Sequence, residues 1–232
     1  MIAGIASSVW AGYWTTGASP RIAFCSPAGA KSGPPGDRGR RLPVVRRLAA
    51  GARSGGAARS AGVCPEIHIG QGIFERARMD WAIGQLTELG VCSVAPLLCT
   101  RGIRRATQHT SVRWQWSAAE VAQRCGRVRP PTVFPPVALR QWLRRLPAAA
   151  VRLLFAPSGG TALAALSPWP RRPIYALIGP RPGLTEEEER AAVAAGFRAV
   201  TLGPRLLRVE TAAVAAVASL QAVAGDFARD FA

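Results

Sequence analysis

Apolar residues recur along this chain at two different spacings, but only after about residue 63. Repeats at helical spacing predict amphipathic helices, and short uninterrupted apolar runs predict buried strands. Strands and helices therefore alternate through the second part of the chain. The predicted helices cover residues 75–89, 112–125, 139–146, 185–195 and 210–224, and the predicted strands cover 91–98, 151–156, 174–178 and 198–202.

Local sequence signals mark the ends of several predicted helices. Gly90 and Gly196 each follow a helical run, which is typical of a left-handed C-terminal cap. Ser111 is the expected N-cap of the second helix, and Thr185 with Glu188 has the spacing of a capping box before the fourth. These signals support the boundaries that the hydrophobic spacing predicts.

Repeated strand-helix units with buried apolar strands predict an α/β domain, in which helices cover both faces of a mainly parallel sheet. Ligands of such domains bind beyond the carboxyl ends of the strands. Two glycine-proline turns, residues 179–183 and 203–208, follow predicted strands there. We expect the two turns to form one composite binding site, although neither matches a dinucleotide-binding or P-loop glycine motif.

Residues 1–62 differ from the rest of the chain. They consist mainly of Gly, Ala, Ser, Pro and Arg, with Asp37 as the only acid and no sustained hydrophobic period. Such a segment buries too little apolar surface to offset the entropy of ordering its backbone. We expect residues 1–62 to be disordered or poorly ordered and residues 63–232 to form the folded domain. A misplaced start or a shifted reading frame is an alternative origin for the first segment.

The net charge of the chain favours one class of binding partner. The formal net charge is +17, and every basic residue except Lys31 is arginine. A strongly basic chain favours polyanionic partners such as nucleic acid, and arginine suits forked contacts to phosphate. The alternative is a coding bias toward arginine, which would explain the excess without any partner.

Cysteines and histidines do not indicate a metal site. The five cysteines form no CxxC pair, and neither His68 nor His109 lies at metal-ligand spacing with them. We therefore expect no metal, and mostly reduced thiols. No run of about eighteen apolar residues occurs, so we also expect no membrane span and a soluble, cytoplasmic protein.

A long motif near the C-terminus resembles the signature of a known family. Residues 202–212 read Leu-Gly-Pro-Arg-Leu-Leu-Arg-Val-Glu-Thr-Ala, which is similar to the C-terminal signature of the RsmE family. Upstream matches fall in family order. They comprise Gln71, Met79, Asp80, the Thr-Glu-Leu-Gly-Val run at 87–91, Arg113-Trp114 and Gly126-Arg127.

The resemblance implies a fold, an activity and an assembly. It implies the SPOUT fold, an α/β domain with a trefoil knot, here preceded by a poorly ordered segment in place of the family's PUA-like β-barrel. It implies transfer of a methyl group from S-adenosylmethionine to uridine N3 of 16S ribosomal RNA. The implied partners are ribosomal RNA or the small ribosomal subunit, and a second copy of the chain in a homodimer.

The same resemblance assigns the site residues. Backbone groups of the two turns are expected to line the cofactor pocket, and arginines are expected to contact RNA or to stabilise a uracil that loses its N3 proton. The expected cofactor residues are Ile178, Gly179, Gly183, Leu202, Gly203, Pro204 and Leu207, and the expected catalytic or RNA-contacting residues are Arg205, Arg208 and Arg127.

The first turn departs from the family pattern. The family has Gly-Pro-Glu-Gly-Gly where this chain has Arg181 and Pro182 at the third and fourth positions. Proline fixes φ and removes an amide donor, and Arg181 reverses a charge. These changes favour an alternative, a catalytically silent RNA-binding relative, whereas the intact motif at residues 202–212 favours an active methyltransferase.

Overall fold

Parallel strands form the centre of the structure, a computed structural model that describes residues 65–102, 108–157, 160–166 and 169–228. Residues 1–62, predicted to be poorly ordered, lie outside this described part. The sheet has eight strands in the order β3-β2-β1-β7-β5-β8-β6, with β4 beside β2, and every pairing is parallel. The strands are β1 Ile67–Gly72, β2 Ser93–Leu98, β3 Thr132–Val133, β4 Val137–Ala138, β5 Val151–Phe155, β6 Thr161–Ala162, β7 Ile174–Ile178 and β8 Arg198–Thr201.

Helices cover both faces of this sheet. Side chains alternate between the faces of a strand, so Ile67 and Ile69 of β1 point to one face and Gly70 points to the other. The two isoleucines belong to the core that includes helices α1 and α5, whereas Gly70 lies against Trp142 of α3. The α/β class with a mainly parallel sheet is confirmed. The helices are α1 Arg76–Glu88, α2 Gln108–Arg124, α3 Leu139–Leu143, α4 Glu186–Ala194 and α5 Val209–Ala224.

Most predicted boundaries are confirmed to within a few residues. Gly90 and Gly196 have φ near +85°, as the predicted caps require. The capping box of Thr185 and Glu188 is present. The prediction that Ser111 caps α2 is wrong, because α2 already includes Gln108 and Ser111 lies within it. No glycine or proline in this stretch prevents the helix from extending.

Two further expectations need correction. Helix α3 ends at Leu143 rather than at residue 146, since Pro147 disfavours helical backbone in the residue before it. Cys125, predicted on the apolar face of α2, follows the helix and is exposed. Strand β1, in the middle of the sheet, was not predicted, because two glycines, His68 and Gln71 interrupt its apolar pattern.

Helix α5 has a long and strongly apolar sequence. The segment Val209–Ala228 is, by length and composition alone, long and apolar enough to span a membrane. The structure gives a simpler account, because one face of α5 packs into the core beside α1 and β7. Gln221 of the same helix donates a hydrogen bond of 2.6 Å to the carbonyl of Leu89 at the end of α1. Packing of this face into the core accounts for part of the apolar composition of α5.

Candidate functional site

Two glycine-proline turns flank the carboxyl end of β5. Gly179 directly follows β7 and Gly203 follows β8 by two residues, and both strands are neighbours of β5. Gly183 and Gly203 each have φ of +107°, and a Cβ added at either would meet no described atom within 4 Å. At these two glycines the turns therefore face open space. Their positive φ is a backbone conformation that residues with a side chain rarely adopt.

The second turn is held by its own strand. The hydroxyl of Thr201 accepts a hydrogen bond of 3.3 Å from the Gly203 amide and donates one of 3.2 Å to the Gly203 carbonyl. This local pairing fixes the conformation in which Pro204 and Arg205 leave the sheet. Leu202, Pro204 and Leu207 lie in the same segment between β8 and α5. Leu202, predicted to end the strand, follows it instead, since β8 ends at Thr201.

The first turn accommodates its unusual sequence. The Gly183 amide donates a hydrogen bond of 2.5 Å to the Pro180 carbonyl, which closes the turn around Arg181 and Pro182. Pro182 has no amide hydrogen, but this closing bond does not use one at that position. The proline that departs from the family pattern is thus compatible with a closed turn.

Two glycines, one at the end of β1 and one in the loop after β2, let the first turn lie close to the sheet. A Cβ on Gly72, at the end of β1, would lie 2.4 Å from the Pro180 nitrogen, and one on Gly102 would lie 3.1 Å from the Pro180 Cβ. Both contacts are closer than side chains normally allow. The absence of side chains at Gly72 and Gly102 therefore lets the loops after β1 and β2 meet the turn after β7.

Glu188 ties these loops together. One carboxylate oxygen accepts a hydrogen bond of 2.7 Å from the Thr100 amide, and the other accepts bonds from the Thr185 amide at 2.9 Å and its hydroxyl at 3.3 Å. Burial raises the pKa of Glu188, but these hydrogen bonds outweigh it and hold the pKa below its ordinary value. Glu188 is therefore an anionic anchor that joins α4 to the loop after β2.

Cys99 lies beside this anchor. Burial, with a smaller contribution from the charge of Glu188, raises the pKa of the Cys99 thiol to about 12. A thiol with so high a pKa stays protonated at neutral pH, so Cys99 cannot serve as a thiolate nucleophile. Among the described residues, no group of three His, Cys, Asp or Glu side chains could hold a metal ion.

An open cavity of about 240 Å³ lies next to the first turn. Residues from the start of α1, the loop after β2, the first turn and the start of α5 line it. None of the seven predicted cofactor residues is among them, although Arg181 comes from the same turn. Its lining residues are Ile73, Phe74, Glu75, Arg78, Arg101, Gly102, Arg181 and Val209.

An ion-pair cluster forms one wall of this cavity. Arg78 contacts Glu75 through Nε and Glu210 through Nη1, both at 3.2 Å. Glu210 is buried in the first turn of α5, and its second carboxylate oxygen has no hydrogen-bond partner in the described part of the chain. The cluster therefore joins the start of α1 to the start of α5. The sequence pattern does not indicate Arg78 or Arg101, because it does not reveal strand β1.

The structure separates the three predicted arginines. Arg205 and Arg208 are exposed in the segment that leads from the second turn into α5. Arg127 lies at the opposite, amino edge, where it donates hydrogen bonds to the carbonyls of Thr87 at 2.7 Å and Val91 at 2.9 Å. Burial lowers the pKa of Arg127. Its predicted contact with RNA stays a prediction, but the structure does not bring it to the two turns.

Sequence and structure comparisons match this chain to RNA methyltransferases. The sequence pattern of a family described as RNA methyltransferase domain matches residues 63–221. The crystal structure of a ribosomal RNA small subunit methyltransferase E from Neisseria gonorrhoeae bound to S-adenosyl methionine is 36% identical. The alignment covers 70% of this chain and 68% of that chain, with a TM-score of 0.67.

Curated relatives carry the same description. Ribosomal RNA small subunit methyltransferase E of Buchnera aphidicola is 30% identical over 69% of this chain and 65% of that protein. The relative from Synechocystis is 34% identical over 59% of this chain and 46% of its own length. The chain thus spans less than two thirds of the length of these curated relatives. The family match at residues 63–221 includes both glycine-proline turns.

Proposed function

The chain belongs to the RNA methyltransferase domain family and, within it, to the RsmE group, and from this premise we propose that it methylates N3 of a uridine in small-subunit ribosomal RNA. S-adenosylmethionine is the proposed methyl donor. The observation that carries the proposal is the pair of glycine turns that face open space on either side of β5. The Neisseria relative, whose structure contains the cofactor, adds support.

The two turns fit a cofactor held by backbone groups. At Gly183 and Gly203 a side chain would occupy the space that a bound molecule needs. We propose that Ile178, Gly179, Gly183 and Leu202, with the group Gly203, Pro204 and Leu207, hold S-adenosylmethionine. When bound, the cofactor supplies an electrophilic methyl group on a sulfonium. The chain's contribution is to align that group with the attacking nitrogen.

The exposed arginines suit the second requirement of the reaction. Uridine N3 attacks more readily once it has lost its proton, and the negative charge then spreads to the uracil carbonyl oxygens. Arg205 and Arg208 have no ion-pair partner among the described residues, so their charge is available to a bound nucleotide. Arginine stays protonated throughout, which suits charge stabilisation but not proton removal.

The proposal is tested with a matched pair of glycine substitutions. Gly203→Ala and Gly126→Ala both place a methyl group at positive φ in open space, but Gly126 lies beside Arg127, at the other edge of the sheet. We expect calorimetry to show micromolar binding of S-adenosylmethionine by wild type and Gly126→Ala, and at least tenfold weaker binding by Gly203→Ala. Equal affinities would contradict the proposed cofactor site.

The reaction itself needs a direct assay. Small-subunit RNA and assembled subunits are incubated with the chain and methyl-labelled cofactor, and the digested nucleosides are separated. Labelled N3-methyluridine is the expected product. Cofactor binding without any transfer, or RNA binding without cofactor binding, would instead favour the catalytically silent RNA-binding relative.

A cytoplasmic homodimer is part of the same proposal. Its support is the resemblance, together with the exposed apolar side chains of Trp81 on α1 and of Val112 and Trp116 on one face of α2. Sedimentation analysis of the chain should give twice its mass of 24.5 kDa. A monomer at all accessible concentrations would contradict the assembly.

A further inference from the structure

We propose that the arginine-lined cavity beside the first turn binds a backbone phosphate of the substrate RNA. The inference rests on the proposed function and names a contact that it leaves open. It places one RNA phosphate between Arg101 and Arg181, next to the turn that is proposed to hold the cofactor. A phosphate held there would fix the position of the RNA strand relative to the two turns.

The charges that line the cavity do not cancel. Arg78 is paired with Glu75 and Glu210, so this wall is close to neutral or slightly negative. Arg101 and Arg181 are exposed and make no ion pair with any described residue. Because Glu75 is the only acid among the described residues that line the cavity, the cavity presents excess positive charge to solvent.

The backbone around the cavity adds to this preference. Helices α1 and α5 both begin at the cavity, through Glu75 and Val209, and their N-cap residues make no side-chain capping hydrogen bond. The positive ends of two helix dipoles therefore lie beside the two unpaired arginines. Helix ends alone would not define a site, but here they coincide with the arginines and the cavity.

The chemistry favours a phosphate over other anions. Two guanidinium groups offer several donors in planar forks, a geometry that matches the oxygens of a phosphodiester. The cavity is open to solvent, as binding of a continuous strand requires. Arg181, which stands where the family pattern has glutamate, thus gains a specific role in this chain.

The test compares charge reversals at two exposed arginines in the full chain. Arg181→Glu changes the cavity, and Arg198→Glu makes the same change in net charge at the start of β8, on the opposite edge of the sheet. Binding of a fluorescein-labelled single-stranded oligouridylate is followed by anisotropy over a series of KCl concentrations. Loss of one charged contact should weaken binding about tenfold for Arg181→Glu, relative to Arg198→Glu.

The salt series supplies an independent readout. A lost phosphate contact should lower the slope of log affinity against log salt concentration by about 0.7 for a single strand. Arg181→Gln, which removes the charge without reversing it, should show the same change in slope and a smaller loss of affinity. Thermal melting of each variant establishes that it is folded, so a loss of binding cannot be assigned to unfolding.

Cofactor binding distinguishes the remaining outcomes. We expect calorimetry to give all three variants the wild-type affinity for S-adenosylmethionine. Equal RNA binding by Arg181→Glu and Arg198→Glu would overturn the phosphate site, as would a loss confined to the cofactor, which would assign the cavity to the cofactor's carboxylate. If wild type transfers no methyl group but Arg181→Glu still selectively loses RNA, the phosphate site stands and the proposed activity fails.

Discussion

Arginines at the amino and carboxyl edges of the sheet differ in the contacts that they make. At the amino edge, Arg127 donates to the Thr87 carbonyl at the end of α1 and to the Val91 carbonyl. Arg152 donates to the carbonyls of Ala195, at the end of α4, and of Pro147. Both side chains therefore cap helix C-termini, where a cation is favoured. At the carboxyl edge, Arg101 and Arg181 make no ion pair with any described residue.

The contrast shows why composition alone could not decide the function. A net charge of +17 counts a helix-capping arginine and an unpaired one equally. The first kind donates hydrogen bonds to backbone carbonyls of the fold, whereas the second makes no ion pair with any described residue and can contact a ligand. We therefore propose that arginines at the amino edge serve mainly stability and those at the carboxyl edge serve binding, a division that substitutions at each edge can test.

The largest expected effect is at the carboxyl edge, for Gly72→Ala. The added methyl group would lie 2.4 Å from the Pro180 nitrogen, and a backbone atom cannot yield as a flexible side chain can. We expect the turn after β7 to shift and methyl transfer to fall about hundredfold, since a displacement of about 1 Å is enough for such a loss. The measurement is the initial rate of transfer to small-subunit RNA.

Stability must be followed in the same variant. Overpacking costs about 1–3 kcal/mol, so the variant should still fold, and urea denaturation can measure its free energy of unfolding. If a folded Gly72→Ala protein transferred methyl groups at the wild-type rate, the position of the first turn would not affect the reaction. The division between the two edges would then lose its main support.

The second effect is expected at the amino edge, for Arg127→Ala. Removing the guanidinium leaves the carbonyls of Thr87 and Val91 without a strong donor, which should lower the free energy of unfolding by about 3 kcal/mol. Cofactor and RNA affinities of the folded protein should be unchanged. Weaker RNA binding at unchanged stability would restore Arg127 as an RNA-contacting residue, as the sequence predicted.

Elements with strong local sequence signals could be predicted from the sequence alone. The capping box of Thr185 and Glu188, the strand Ile174–Ile178 and both glycine-proline turns could be predicted, because each depends on neighbouring residues. The expectation of one composite site follows from these elements, since parallel strands end at one edge. The trefoil knot implied by the resemblance stays a prediction.

Long-range packing determined what could not be predicted. Strand β1 has glycine where its neighbours leave no room: a Cβ on Gly70 would lie 2.5 Å from the ring of Trp142, 72 residues away in sequence. The same holds for Gly72 and Pro180. Without β1, the start of α1 could not be placed at the carboxyl edge, and so neither Arg78 nor the cavity could be inferred.

A smaller effect is expected for Glu188→Gln, which tests how the carboxyl edge is anchored. The pKa of Glu188 lies below its ordinary value of 4.5, so the carboxylate stabilises the fold above that pH and loses this contribution as the pH falls through the lowered pKa. At neutral pH the variant should be less stable by about 1–2 kcal/mol. This difference should shrink below about pH 4.5. A difference that does not depend on pH would mean that packing, and not charge, makes Glu188 important.

The smallest effect, of opposite sign, is expected for Gly84→Ala. Gly84 lies inside α1, where an added Cβ would make an ordinary contact of 3.7 Å with Val121 of α2. Alanine has the better helix propensity and restricts the unfolded chain, so the free energy of unfolding should rise by about 0.5–1 kcal/mol. Thermal and urea denaturation measure this gain, and methyl transfer should match that of wild type. Because Gly84→Ala and Gly72→Ala add the same methyl group to two glycines, the pair isolates the effect of position. A loss of stability in Gly84→Ala would show that α1 and α2 pack too tightly to accept it.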